Sequence, residues 1–100
     1  MRIEIRPSAR RHGITDDEIR TVVEYPGLRM SVASRKSPDA HPELFIGQAA
    51  ANEPYLEVAA EVIDRTTEVF HATMLRQSTV TSTGIAEYLD PAHITRTQRR

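Results

Sequence analysis

Two histidine-containing segments carry residue types that could do acid–base chemistry. The first segment, Arg10-Arg11-His12-Gly13, puts two guanidinium groups and an imidazole just before Thr15. Thr15 opens a capping box, and the N–H groups of a helix N-terminus can bind phosphate together with arginine side chains. A solvated basic turn would show the same residues, so both interpretations stay open.

The second segment runs from Phe70 to Arg76 and contains His71. In a strand, alternation puts Phe70 on one face and His71 on the other, so a core-facing Phe70 leaves the imidazole on the open face. An open-face histidine near an arginine can act as a general acid or base beside a cationic stabiliser. The alternative is a half-exposed strand histidine that bonds to a neighbour.

Glu57 belongs to a row of carboxylates that the same sheet would present. A hairpin over residues 55–74 brings Glu57 to the level of Ala72, to within one residue of register. Glu57 would then approach His71 and set the charge of its imidazole. The other carboxylates of the row are interpreted as an ordinary solvated face: Glu61 and Glu68.

The elements that must position these side chains follow from hydrophobic spacing. Thr15-Asp-Asp-Glu18 starts a helix whose apolar face is spaced i, i+3, i+4, and Pro26 stops it. Alternating residues predict a strand or extended lead-in over 2–6 and strands over 28–33, 44–50, 55–63 and 66–74. The order predicts an α+β fold, with N-terminal helices packed on one face of an antiparallel sheet of about four strands.

The length of the chain predicts a simple domain organisation. A chain of 100 residues predicts one domain, here residues 1–90, followed by a loose basic C-terminal tail over 91–100. Residues 34–42 are interpreted as a loop, and one or two helical turns are expected over 84–89.

Charge and composition exclude several classes of protein. The net charge of −1 argues against a uniformly basic nucleic-acid binder, but the balance is +3 over residues 1–36, −6 over 37–75 and +2 over 76–100. Twelve of the thirteen basic residues are arginine, which suits phosphate or reflects codon usage. The histidine spacing and the lack of cysteine predict no metal site and no disulfide, and the short apolar runs predict no membrane span. No cofactor is expected, and a reducing cytoplasm fits the absence of cysteine.

Four segments in order resemble the small BrnT-like toxins. Residues 8–19 resemble the family's K-H-G-(I/V)-x-x-x-(D/E)-I opening, and Leu44-Phe-Ile-Gly47 its iiG strand. Leu56-Glu-Val58 resembles its LEV strand, and residues 69–76 its viHAMplR strand end. The resemblance covers about residues 7–76 and implies a RelE-like fold of N-terminal helices followed by an antiparallel sheet.

The resemblance implies a type II toxin that cleaves RNA and is silenced by an antitoxin, with which it would form a heteromeric complex. It places His12 at the family's HG histidine, and His71 and Arg76 at the histidine and arginine of the last strand. Two departures are the arginine at position 11, where lysine is frequent, and the missing proline of the HAMP core, which reads His-Ala-Thr-Met here. The chain also lacks the family's usual basic charge.

The leading hypothesis is therefore a ribonuclease toxin. His71 would be the acid or base, Arg76 and Arg11 would bind phosphate together with Arg10, and Glu57 and His12 would tune or orient these groups. The alternative is a toxin relative without catalysis that acts as a protein-binding module. A small DNA-binding or antitoxin-like protein is a third possibility, without a helix-turn-helix signal to support it.

Overall fold

The computed structural model describes residues 2–32, 41–95 and 98. Its strands are β1 (Arg2–Ile5), β2 (Leu28–Ser31), β3 (Pro42–Gln48), β4 (Tyr55–Ile63) and β5 (Thr66–Met74). Its α-helices are α1 (Asp16–Glu24) and α2 (Gln77–Thr83), and 3₁₀ turns lie at Pro7–Arg10, Ala86–Tyr88 and Pro91–His93. Most of the predicted loop and the end of the predicted basic tail, residues 33–40, 96–97 and 99–100, lie outside the described residues.

All five strands belong to one sheet in the order β1-β5-β4-β3-β2. β1 runs parallel to β5, and every other pair is antiparallel. The α+β class is confirmed, but the expectation of about four antiparallel strands is wrong, because the extended lead-in pairs with β5 as a fifth strand. Parallel strands need a long connection between them. The chain between β1 and β5, which includes α1 and the other three strands, provides that connection.

One face of the sheet packs against α1. The helix starts at the predicted capping box: the Thr15 hydroxyl accepts the Glu18 N–H, and the Glu18 carboxylate accepts the Thr15 N–H. Its apolar stripe of Ile19, Val22 and Val23 is buried against Phe45 and other side chains of the sheet. This face holds the N-terminal elements, as the hydrophobic spacing predicts.

The opposite face is covered by α2 and the chain that follows it. Val80, Ile85 and Leu89 pack there against Leu44 and Ile46 of β3. The prediction that helices cover a single face is therefore wrong. Residues 77–83 have weak helix propensity because five of the seven are serine or threonine, so α2 depends on this packing and on Gly84, whose left-handed φ of 68° ends the helix.

The hairpin of β4 and β5 has the predicted bounds and turn, with one irregularity. Asp64 and Arg65 form the two-residue turn at positive φ. The register changes because Ala60 lies opposite Val69 while Ala59 lies opposite His71, which leaves Phe70 as an extra residue, a β-bulge. The bulge moves the pairing by one position beyond the turn, so Glu57 lies opposite Thr73 and not Ala72.

The bulge also changes which face Phe70 occupies. Residues directly opposite each other in an antiparallel pair share a face, so His71 lies on the α2 face with Ala59. Phe70 packs against the cluster under α2, whereas Ala72 belongs to the cluster under α1. The sequence expectation that Phe70 and His71 lie on opposite faces is wrong, since regular alternation does not continue through a bulge.

Candidate active site

The candidate site is centred on Glu57, a carboxylate that β4 carries into the interior beneath α2. Its side chain is only 1% exposed. Glu57 lies between Ile46 of β3 and Thr73 of β5, on the face that α2 covers. Burial of a charge is unfavourable unless the charge is paired and hydrogen-bonded, so the groups around Glu57 decide whether it can be ionised.

The Glu57 carboxylate accepts five hydrogen bonds. Oε1 accepts the Arg76 backbone N–H at 2.9 Å, Arg76 Nε at 3.1 Å and the Thr79 hydroxyl at 2.8 Å. Oε2 accepts Arg76 Nη2 at 2.9 Å and lies 3.2 Å from Nε2 of His71. The Arg76 guanidinium therefore donates to both carboxylate oxygens, and the N-terminal part of α2 holds the carboxylate through the Arg76 backbone N–H and Thr79.

These contacts keep Glu57 ionised. Burial raises the pKa of Glu57, but the hydrogen bonds from His71, Arg76 and Thr79 together outweigh burial and lower the pKa to about 2. The same pairing raises the pKa of Arg76 above its ordinary value. Because an ionised carboxylate only accepts hydrogen bonds, the contact with His71 requires Nε2 to be the donor.

His71 is oriented by this contact and remains accessible. Its side chain is 25% exposed, and it borders a cleft of about 650 Å³ on the α2 face. With Nε2–H bound to Glu57, Nδ1 is the nitrogen left to exchange a proton with another molecule. A carboxylate that fixes one nitrogen of an imidazole and leaves the other open to the cleft is an arrangement that general acid–base catalysis uses.

His12 lies beside His71, although 59 positions separate them in sequence. The two ring centroids are 6.0 Å apart, and the ring planes make an angle of 66°. The turn after the 3₁₀ segment Pro7–Arg10 brings His12 there, since the Ser8 hydroxyl donates to the Phe70 carbonyl oxygen at 2.7 Å and so ties this segment to β5. The site therefore contains two neighbouring imidazoles, of His12 and His71, that can accept or donate protons.

Arg76 forms the cationic wall of the same cleft. Its side chain is 49% exposed although it pairs with Glu57. The guanidinium has five N–H donors, and the pairing uses Nε and Nη2. Donors on Nη1 make no hydrogen bond within the described residues, so the group can bind an anion at the cleft while it holds Glu57.

Four of the six residues predicted for the site thus lie together, and two do not join them. Those that meet are His71, Arg76, Glu57 and His12. Arg10 is held by Asp16, with Nε and Nη2 2.9 and 3.0 Å from the two carboxylate oxygens. Arg11 is exposed, next to His12 in sequence, and makes no ion pair within the described part of the chain. The capping helix and its basic turn therefore do not form the phosphate cradle that the sequence suggests around Arg10.

Thr79 is the member of the site that the sequence predictions miss. It is buried, and its hydroxyl completes the set of donors around Glu57. The available signal is its position three residues after Arg76, which puts both side chains on one face of a helix. This spacing is informative only if residues 77–83 are expected to form a helix. The serine and threonine content of that segment does not favour a helix.

Metal ligands and membrane helices were also sought among the described residues. No group of three or more histidine, aspartate or glutamate side chains there could hold a metal ion. Nor does any helix in that part of the chain have the length and apolar character needed to cross a membrane. Comparison of the chain with models of known families, with curated proteins and with solved structures finds no match.

Proposed function

We propose that the chain is a ribonuclease that cleaves RNA by acid–base catalysis at the cleft beside His71. The observation that carries this proposal is the buried Glu57 carboxylate, which holds Arg76 and His71 at one cleft with His12 alongside. Cleavage of RNA needs a base, an acid and a cation for the phosphate, and these residues supply one group for each need.

The proposed reaction is attack by a ribose 2′-oxygen on the adjacent phosphorus. Nδ1 of His71 takes the proton of the 2′-hydroxyl, and Glu57 stabilises the imidazolium that results. The new bond joins the 2′-oxygen to phosphorus, while the bond from phosphorus to the 5′-oxygen breaks. His12 in its charged form gives a proton to that leaving oxygen, so the products are a 2′,3′-cyclic phosphate and a 5′-hydroxyl.

Arg76 serves the phosphate in this scheme. Its donors beyond Nε and Nη2 are directed to the non-bridging oxygens, where negative charge grows as the 2′-oxygen attacks. Positioned cationic donors of this kind strengthen in the transition state, which raises the rate and not only the affinity. Arg11, which has no ion pair in the described residues, is the second candidate for contact with the RNA backbone.

We also propose that this ribonuclease is the toxin of a type II toxin–antitoxin pair. This part of the proposal is supported by the resemblance of residues 7–76 to BrnT-like toxins and by the α+β class. The antitoxin would be a protein that covers the cleft. The acidic middle of the chain, with a charge balance of −6 over residues 37–75, is suited to a basic segment of that partner.

A non-catalytic binding module is the second candidate, and one observation favours it. Three arginines in the N-terminal part and at the cleft are already paired with carboxylates: Arg6 with Glu68, Arg10 with Asp16, and Arg76 with Glu57. Paired arginines attract phosphate less strongly than free ones, so the field at the cleft is weaker than that of a strongly basic ribonuclease.

The test is an RNA-cleavage assay with the purified chain and matched variants. We expect the wild type to cut single-stranded RNA, and His71→Ala to lower the rate by about 100-fold or more. Arg76→Ala should also cleave RNA more slowly than the wild type, because it removes the cation that contacts the phosphate. His93→Ala is the matched control. His93 lies outside the site, but like His71 it is about one quarter exposed (24%) and lies close to a carboxylate, 3.6 Å from Asp90. Absence of cleavage by the wild type would leave the binding module as the better function, and equal cleavage by His71→Ala and the wild type would contradict the role of His71.

The toxin proposal has a separate test in living cells. Production of the chain alone in a bacterial host should slow growth, and the His71→Ala variant should not. Normal growth with active, soluble wild-type enzyme would remove the toxin role while leaving the ribonuclease in place.

A further inference from the structure

The cleft extends beyond Glu57, His71 and Arg76. At the end away from Arg76 it is lined by Phe70, Arg6 and Glu61. Its volume of about 650 Å³ falls in the range of pockets that hold small ligands. The end beside His71 is occupied by the reacting groups, so this second end is where the next part of a bound nucleotide would lie.

Phe70 supplies an aromatic surface next to the reacting groups. The β-bulge puts Phe70 and His71, which are neighbours in sequence, on the same face of the sheet. The Phe70 side chain is partly buried and borders the cleft. Aromatic side chains in this position stack on unpaired bases, which is the commonest way in which proteins hold single-stranded RNA.

Arg6 and Glu61 give the cleft one donor group beside one acceptor group. Arg6 Nη2 donates to Glu68 at 3.1 Å but lies 3.8 Å from Glu61. Glu61 lines the cleft and forms a 3.8 Å ion pair with Arg6, but its carboxylate makes no hydrogen bond within the described residues. Glu68 is occupied by Arg6 and does not line the cleft. The two carboxylates are equally exposed, but Arg6 donates a hydrogen bond to Glu68 alone and only Glu61 lines the cleft.

We propose that this end of the cleft is a guanine-binding subsite, with Glu61 as the residue that determines specificity. Guanine alone among the four bases has two neighbouring N–H donors, on N1 and N2, beside an acceptor oxygen, O6. The Glu61 carboxylate matches the two donors, and Arg6 matches O6. Phe70 stacks on the base. This inference deepens the proposed ribonuclease function and rests on it for the meaning of the subsite.

Cleavage of matched oligonucleotides tests the subsite. The probes are single-stranded RNAs that differ at one position, which holds guanine, inosine, adenine, cytosine or uracil. We expect the wild type to cut next to guanine about 10- to 100-fold faster than next to the other natural bases, with inosine between them because it lacks the N2 donor. Glu61→Gln should remove the preference, and Glu68→Gln should keep it. Phe70→Leu should weaken cleavage about tenfold for every base.

A binding measurement separates failure of the subsite from failure of the ribonuclease. It uses the same oligonucleotides with a 2′-deoxy sugar at the test position, which blocks attack, and reports affinity by fluorescence polarisation. Guanine-dependent binding without any cleavage would overturn the ribonuclease and support the subsite. Cleavage without base preference, or equal preference in the Glu61→Gln and wild-type proteins, would overturn the subsite while the ribonuclease stands.

Discussion

The two faces of the sheet differ in what they bury. The cluster under α1 consists of apolar side chains, among them Phe45, Ile19 and Val22. The face under α2 buries a carboxylate, Glu57, beside an open cleft. Apolar burial stabilises a fold, whereas a buried ion pair adds little stability compared with an apolar core and is costly to break. The α1 face therefore supplies apolar burial that stabilises the fold, and the α2 face carries the groups of the proposed chemistry.

Removal of a large side chain from the α1 face should give the largest change in stability. Phe45 is 1% exposed. Phe45→Ala should lower the free energy of unfolding by about 3–5 kcal/mol, because it loses apolar burial and leaves a cavity. Urea unfolding measures this change. If the faces are separate in role, the folded fraction of this variant should cut RNA at the rate of the wild type.

Glu57→Gln should affect both stability and activity. The neutral amide leaves Arg76 without its counter-charge and turns one acceptor into a donor, which costs about 3 kcal/mol in a buried pair. The same change releases His71 from its orienting partner. Urea unfolding and single-turnover RNA cleavage on one sample would measure both effects. Unchanged cleavage by the folded variant would show that Glu57 is only structural.

Acid should weaken the α2 face first. The pKa of Glu57 is about 2 in the folded chain, below its ordinary 4.5, so the ionised group stabilises the fold above pH 4.5. That contribution is lost as the pH falls from about 4.5 to 2. Thermal unfolding followed over this range should show a steeper fall in Tm for the wild type than for Glu57→Gln. Parallel curves would contradict the role of the ionised carboxylate.

The smallest contrast compares two hydroxyl groups, one on each face. Thr79→Val removes the hydrogen bond to Glu57, and Thr15→Ala removes the helix cap of α1; each should cost about 1–2 kcal/mol. Only Thr79→Val should slow RNA cleavage, since only Thr79 positions Glu57. The two variants therefore match in stability and separate in rate, and equal rates would remove Thr79 from the site.

Local rules in the sequence predict the fold well where the pattern is regular. The capping box at Thr15 and the bounds of β4 and β5 are confirmed. The parallel pairing of β1 depends on contacts between residues more than sixty positions apart, and the bulge adds Phe70 as one extra residue in β5. Neither leaves a local signal, so alternation alone misplaces Phe70 and the register at Glu57.

The site is predictable in part for the same reason. His71 and Glu57 come together through a hairpin, and the two-residue turn at Asp64-Arg65 allows that hairpin to be predicted from the sequence. Thr79 requires a helix that propensity disfavours and that only tertiary packing of Val80 supports. Arg10 belongs to the basic turn, yet its pairing with Asp16 depends on side-chain geometry that spacing does not reveal.

The most direct test of the proposed chemistry is the identity of the products from one defined RNA. The wild type should yield a fragment with a 2′,3′-cyclic phosphate and a fragment with a 5′-hydroxyl, resolved by mass spectrometry, and a single 2′-deoxy sugar at the cut position should abolish that cut. The His71→Ala variant should yield neither product, and His93→Ala should yield both. Cleavage that continues at the 2′-deoxy position, or equal products from His71→Ala, would contradict attack by the 2′-oxygen at the His71 site.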